Sequence, residues 1–221
     1  MRQLLKTIAR LNIKTIRFNF KYFPFRTAIR LPVFVSRNVF LYKLKGRVTI
    51  NGPVHTGMIQ LGYGKVGIAD FKRSRAIWEI YGEVVFNGTA FIMHGCKLLV
   101  LESGQIIFGD NYKMSTECTL ISQKKIQIGD NSGISWESLV MDTDFHHIYD
   151  DTGTLFNHPK EIIIGDKVWV GCKCTILKGA VIPDGCIIAA NSMVTKKLIE
   201  EKSIFGGNPL KVLKSGISWH Y

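Results

Sequence analysis

No aspartate or glutamate occurs in the first fifty residues of this 221-residue chain, although the same stretch holds twelve lysines and arginines. Residues 51–221 balance, 17 basic against 17 acidic, so the net charge of +12 belongs to the N-terminal segment. A basic segment without acids seeks an anionic surface. It is accompanied by no recognisable RNA- or DNA-binding module, so no nucleic-acid partner is expected. No stretch approaches the roughly 18 apolar residues of a transmembrane helix. The opening MRQLLKTIARLNIKTIRF has neither an uninterrupted apolar core nor a small-residue cleavage site, which makes it a poor signal peptide. A cytoplasmic protein is the expectation, with peripheral association at the inner face of a membrane as one reading of the basic segment. The cysteines are five, an odd number, with no CxxC pair at zinc-finger spacing. They read as reduced and buried. Cys172 and Cys174, two apart, share a face of a strand and suit a narrow interior, so no metal site is expected there.

Residues 1–18 place Leu4, Leu5, Ile8, Leu11 and Ile16 near helical spacing, with Lys6, Arg10, Lys14 and Arg17 between them. This pattern predicts a basic amphipathic helix, within an N-terminal segment spanning 1–45. Pro24 and Pro32 interrupt any long continuation. Two readings stand side by side for it: docking of residues 1–40 on an anionic membrane, or covering the open end of a repeat stack.

A strict period of six follows. Ile164, Val170, Ile176, Ile182, Ile188 and Val194 are six consecutive aliphatics at that spacing, and Ile128, Ile134 and Val140, then Phe108, Met114 and Leu120, repeat it. Phe86, Ile92 and Leu98 do so more loosely. FGDN (108–111), IGDN (128–131) and IGDK (164–167) mark recurrent turns, whose glycine is expected to permit a tight corner. A six-residue unit is one short strand plus a turn, and three units close a triangular coil of about 18 residues with the aliphatics stacked inside. The fold class is therefore mainly β, a parallel β-helix of hexapeptide repeats over 46–200. A tail at 201–221 is expected to carry a short helix. The repeat breaks at 141–160, MDTDFHHIYDDTGTLFNHPK, a polar insertion with three of the six histidines. A loop on a rigid scaffold is where chemistry is mounted.

These blocks resemble the left-handed β-helix acyltransferases, within them the O-acetyltransferases of sugars and cell-surface polysaccharides. The resemblance covers residues 80–214. It rests on the hexads, on DTDFH (142–146), and on IIIGDKVWVGCKCTILKGAVIPDGCIIAANSMVTK (162–196) followed by GGNPLKVLK (206–214). The hexads alone are shared with nucleotidyltransferase domains and γ-type carbonic anhydrases; the later blocks are more specific. The resemblance implies a left-handed helix, acetyl-CoA as acyl donor, a saccharide hydroxyl as acceptor, and a homotrimer with sites between subunits; the basic N-terminal segment points to an acceptor made at the membrane face, such as a lipid-linked glycan of capsule or O-antigen.

It also implies residue roles. His146 matches the general base, with His147 second and placed near the acceptor, and Asp142 or Asp144 would orient the imidazole. A sugar hydroxyl is a weak nucleophile near neutrality, and an imidazole, with a reference pKa of about 6.5, can accept its proton. The backbone N–H of Cys172, after Gly171, matches an oxyanion donor. Trp169 and Ala190 would line the donor slot, Thr195 and Lys196 its nucleotide end, and Lys211 would face its phosphates. Ser115 stands where galactoside- and maltose-type enzymes often have an asparagine against the sugar. N-acetylation of an amino sugar is the runner-up. A carbonic anhydrase needs three histidines on one zinc, and a third histidine spaced to join His146 and His147 is not evident. A non-catalytic scaffold would need neither the DTDFH loop nor the tail.

Overall fold

The computed structural model describes residues 10–64, 66, 67, 69, 70 and 73–220. Among these, 22 strands pair into three sheets, the faces of a triangular prism. The first face stacks strands from Val33–Val35 to Lys211–Lys214, the second from Phe40–Leu44 to Met193–Val194, and the third from Arg47–Ile50 to Val181–Ile182. The first coil thus begins at Val33, and position 46 falls inside it.

Parallel register aligns the hexad residues into three inner ladders. The first face stacks Leu61, Ile92, Met114, Ile134, Val170 and Ile188. The second stacks Trp78, Leu98, Leu120, Val140, Ile176 and Val194. The third stacks Phe86, Phe108, Ile128, Ile164 and Ile182, with the two phenylalanine rings 5.1 Å apart. Every one of these side chains is buried, each removing apolar surface worth roughly 1.5–3 kcal/mol. Register partners Phe86 and Phe108 are 22 residues apart, Phe108 and Ile128 are 20, and Ile164 and Ile182 are 18. The looser early pattern in the sequence reflects these longer turns.

The corners are held by polar ladders. Where the third face turns into the first, Asp130 Oδ1 accepts from Asp110 N (2.7 Å), Asp166 Oδ1 from Asp130 N (2.7 Å), and Asp184 Oδ1 from Asp166 N (2.8 Å). The glycines before these aspartates are there for closeness rather than for backbone freedom. Gly109, Gly129 and Gly165 have ordinary φ, and the positive φ falls on Asn111, Asn131 and Lys167 instead. A Cβ on Gly109 would lie 2.6 Å from Asp130 N, and one on Gly129 2.7 Å from Asp166 N.

Where the first face turns into the second, thiols do similar work. Cys96 Sγ donates to Ser115 O (2.9 Å), Cys118 Sγ to Ser135 O (2.9 Å) and Cys174 Sγ to Ala189 O (3.1 Å). Ser138 fills the missing rung, its hydroxyl donating to Gly171 O at 3.0 Å. All five cysteines are free; Cys172 alone among them is not buried.

The N-terminal end is closed by α1 (Ile13–Tyr22), capped by the Asn12 side chain accepting from Lys14 N and Thr15 N. Its buried face differs from the one the apolar spacing predicted. Leu11 and Ile16 are exposed, while Thr15, Phe18 and Asn19 are buried; Leu4, Leu5 and Ile8 lie outside the described residues. The reason is the open edge of Val33–Val35. Asn19 donates to Val33 O (2.7 Å) and accepts from Val33 N (3.1 Å), and Thr15 Oγ1 exchanges bonds with Val35 O (3.1 Å) and Val35 N (3.0 Å). Unpaired, those groups would each cost about 1–3 kcal/mol. Phe18 packs edge-on to Trp78 at 5.1 Å. A short α2 (Phe25–Ala28) follows. No helix among the described residues is long and apolar enough to cross a membrane.

The C-terminal tail corrects an expectation. Instead of a short helix, Lys211–Lys214 forms a strand antiparallel to Ile204–Gly206. Gly206 and Gly207 (φ +96°) turn the chain, and the returning strand covers the last open edge of the first face.

The thiol ladder predicts that Cys118→Ser keeps wild-type stability, because Ser138 already serves as a rung. Cys118→Val, which leaves the Ser135 carbonyl without its donor, should lose about 1–3 kcal/mol in urea unfolding. Equal stability of the two variants would contradict the ladder's role.

Candidate functional site

The insertion leaves the prism where the second face turns into the third, between the strands Leu139–Met141 and Ile162–Ile164. Its base is fixed by Asp142, fully buried, whose carboxylate accepts from Ser122 Oγ (2.8 Å), Gln123 N (2.7 Å) and Lys124 N (3.0 Å). The tip closes over Asp150, which accepts from Thr152 N (2.9 Å) and Thr154 N (2.8 Å). Between base and tip, Asn157 ties the two arms together. Its amide donates to Asp144 Oδ2 (3.0 Å) and His146 O (2.9 Å), and its oxygen accepts from Ile148 N (2.7 Å). Lys178, from the next coil, donates to the Asp144 carboxylate and to Asn157 O at 2.8 Å.

His146 and His147 are exposed on this loop. The His146 ring is held by a backbone atom, not by a carboxylate: Nδ1 stands 2.9 Å from Asp144 O. A carbonyl can only accept, so Nδ1 carries the proton and Nε2 presents a lone pair. Phe145, in the left-handed region at φ +61°, turns the chain so that the ring meets that carbonyl. Asp142 is engaged at the loop base, and the Asp144 side chain is engaged with Lys178 and Asn157. The bond from Lys178 foremost, with that from Asn157, holds the Asp144 carboxyl below the ordinary aspartate value. The anchor is therefore ionised at neutral pH. Its contribution is present above the unfolded value and disappears only as pH falls through the lowered one.

The residues matched to a donor lie elsewhere. Gly171, Cys172 and Ala190 form a ridge on the corner between first and second faces, tied by Gly171 N to Ile188 O (2.7 Å) and Asn191 N to Cys172 O (2.9 Å). Gly171 permits the close stacking, since a Cβ there would lie 2.7 Å from Ala190 N. Among the described residues, the Cys172 N–H donates to no acceptor. Lys211, paired beside Gly206, is exposed at the C-terminal end of the same face. Thr195 and Lys196, also exposed, follow the last strand of the second face, away from this ridge.

Ser115 and Trp169 share a hollow of about 400 Å³ on the first face, with Phe91, Met93 and Ser135. Trp169 Nε1 donates to Ser135 Oγ at 3.0 Å, and the Trp219 ring lies 6.0 Å from that of Trp169. Sequence reasoning missed Ser135, which the period held in view twenty residues after Ser115. It also missed Lys178 and Asn157, for which no local pattern exists. Among the described residues, no three His, Cys, Asp or Glu side chains gather as a metal site.

Residues 161–196 match the family "Bacterial transferase hexapeptide (six repeats)". The chain is 35% identical over 143 residues to an "Uncharacterized 24.8 kDa protein in cps region" of Klebsiella pneumoniae, covering 63% of this chain and 62% of that protein. It is 30% identical over 131 residues to the "Putative lipopolysaccharide biosynthesis O-acetyl transferase WbbJ" of Escherichia coli K12, covering 54% and 65%. A "Polysialic acid O-acetyltransferase" of Neisseria meningitidis is 35% identical over 104 residues, 47% of this chain and 48% of that one. The chain thus spans less than two thirds of the length of these relatives. The crystal structure of the polySia-specific acetyltransferase NeuO superposes with a TM-score of 0.64 at 22% identity, over 86% of this chain and 79% of that one, a likeness of fold. By its repeat and its coils the chain is a parallel β-helix of hexapeptide repeats, similar in sequence to these acetyltransferases and in fold to NeuO.

Proposed function

We propose that this protein transfers an acetyl group from acetyl-CoA to a hydroxyl of a saccharide, in the assembly of a capsule, O-antigen or other surface polysaccharide. The observation that carries this reading is the 2.9 Å contact of His146 Nδ1 with Asp144 O, which leaves Nε2 as a base on an exposed loop. The O-acetyltransferase relatives support it. His146 Nε2 accepts the proton of the acceptor hydroxyl as that oxygen attacks the thioester carbonyl. The Cys172 N–H hydrogen-bonds the developing oxyanion, and the Cys172 thiol takes no part. The C–S bond then breaks, and His146 returns its proton to the departing thiolate. Gly171, Cys172 and Ala190 offer a flat backbone ridge suited to a narrow pantetheine arm, with Lys211 for phosphates; Thr195 and Lys196, on the far edge of the second face, are assigned to the nucleotide end of a donor held on a neighbouring subunit's ridge. Asp144 acts through its main chain, as the acceptor that fixes the tautomer of His146, while Lys178 and Asn157 hold it in place. Asp142 secures the loop base. His147 and Ser115 are assigned to the acceptor side.

One chain does not bring these parts together. His146 leaves from one edge of the second face, and the Gly171–Ala190 ridge runs along the other edge. The outward ladder between them, Leu99, Ile121, Met141 and Leu177, is apolar. A homotrimer, in which the loop of one subunit meets the ridge of the next, would supply both the missing neighbour and cover for that face.

The N-terminal helices turn a second apolar surface outward. Ile13 is 81% and Phe25 70% exposed, beside Ile16, Phe20 and Ile29 and the cations Arg17, Lys21, Arg26 and Arg30. The helix has already satisfied the coil end through its other face, so this surface is free for an anionic membrane carrying a lipid-linked acceptor.

In a thiol-release assay with a panel of saccharides, His146→Ala should lower kcat by roughly a hundred- to ten-thousandfold while calorimetric acetyl-CoA binding persists; full activity in that variant would sink the reading. Sedimentation should give a trimer at micromolar concentration, and an active monomer would refute the shared site. Phe20→Ser/Phe25→Ser should lose co-sedimentation with phosphatidylglycerol vesicles, while phosphatidylcholine vesicles bind neither form. Unchanged binding by this variant would exclude the helix face as the membrane contact.

A further inference from the structure

The corner that carries Ser115 and the Cys172 ridge continues toward the N-terminal end into a second hollow, of about 680 Å³. Lys14, Arg37, Arg73, Arg75 and Lys97 line it, with Glu117 as the one acid. The two hollows flank a single turn, since Ser115 lines the first and Glu117 the second. The corner runs straight alongside both. Glu117 N donates to His94 O (3.2 Å), Glu137 N to Thr116 O (3.0 Å) and Lys173 N to Trp136 O (3.0 Å), one coil per step. Gly95, which also lines the basic hollow, is therefore three coils from the Gly171–Cys172 ridge, roughly 14 Å at the inter-strand spacing of about 4.8 Å.

Five cations here face a single lining acid. Glu117 already accepts from Ser74 Oγ. Among the described residues, Arg37, Arg75 and Lys97 form no ion pair, and Arg73 meets Asp70 only at 4.0 Å with both exposed. Two of the cations are held in position: the Arg75 guanidinium lies 4.4 Å over the Phe40 ring, and Lys14 Nζ donates to Arg37 O and Val39 O at 2.6 Å each. Burial, and the neighbouring Arg75 charge, push the Lys14 ammonium below the ordinary lysine value. Like charges gathered in a concave site favour an incoming anion. Lys196 and Lys211 lie at the opposite end of the stack, so the donor's phosphates have their own cations.

We propose that this hollow binds a carboxylate or phosphate of the acceptor glycan a few coils from the point of transfer, so that the acceptor is an anionic oligosaccharide or polysaccharide rather than a neutral sugar. The inference deepens the saccharide-acetylation reading and rests on it for the word acceptor. The anion is assigned to a glycan rather than to a lipid headgroup because the hollow borders the turn that carries Ser115.

The test titrates the full-length protein, without acetyl-CoA, with a labelled uronic-acid hexasaccharide, a phosphodiester-linked oligosaccharide and the carboxyl-reduced neutral hexasaccharide. Wild type should bind at least one anionic form tenfold or more tightly than the neutral one, with the preference shrinking as salt rises. Arg75→Gln and, separately, Arg37→Gln/Lys97→Gln should each reduce that preference by roughly tenfold, and the KM for the anionic acceptor should rise in parallel. Equal binding of neutral and anionic forms, or unchanged preference in both variants, would overturn the proposal. So would variants that lose phosphatidylglycerol vesicles but keep the oligosaccharide. Because binding is read without the donor, failure of acetyl transfer to every acceptor would defeat the enzymatic reading while the titration still decides on the glycan site.

Discussion

A coil of this protein can bury its apolar side chains only if the next coil repeats its register. Each strand is a few residues long and contributes one or two inward groups, too little to order a chain alone. Stacked in parallel, Phe86, Phe108, Ile128, Ile164 and Ile182 become one continuous column, and two more columns complete the interior. The corners must then turn the chain without leaving main-chain groups unpaired. The Asp110–Asp184 carboxylate ladder does so on one edge and the Cys96–Cys174 thiol and hydroxyl ladder on another. The 141–160 insertion leaves from the remaining edge, and the Gly171–Ala190 ridge lies on the thiol edge, where the chain departs from the columns.

That division explains what could be read in the sequence. The period of six was plain because burial imposes it at every coil, and the 141–160 insertion was plain because it interrupts the period. His146 stood out within DTDFH. What could not be read was which atoms serve which. Asp142 and Asp144 look equivalent as letters, yet one carboxylate clamps the loop base and the other meets Lys178, and it is the Asp144 carbonyl that touches the His146 ring. Lys178 sits in the run TILKG with nothing local to mark it; its partner lies thirty-four residues earlier and is reached only after the stack forms. The turn glycines were visible, but their reason was not, since a steric contact with the next coil leaves no trace in the coil's own sequence.

The N-terminal helix shows the same limit in reverse. Apolar spacing selected Leu11 and Ile16 as the inner face, but a sheet edge offers main-chain polar groups, and satisfying four of them outweighs hiding two aliphatic side chains that water tolerates on a surface. Thr15 and Asn19 therefore face inward. The apolar residues displaced to the outside, next to the acid-free run of cations, give the end of the prism a character unlike its sides.

The insertion has a length with a meaning of its own. Register partners Ile164 and Ile182 are 18 residues apart, whereas Ile128 and Ile164 are 36 apart, so the loop takes up the chain of one whole coil. Because it departs and returns at a corner, the phase of every later strand is preserved, and each inward residue stays inward. Such a scaffold can exchange entire loops without disturbing its columns, while the deletion of a single residue within a strand would turn all that follows inside out.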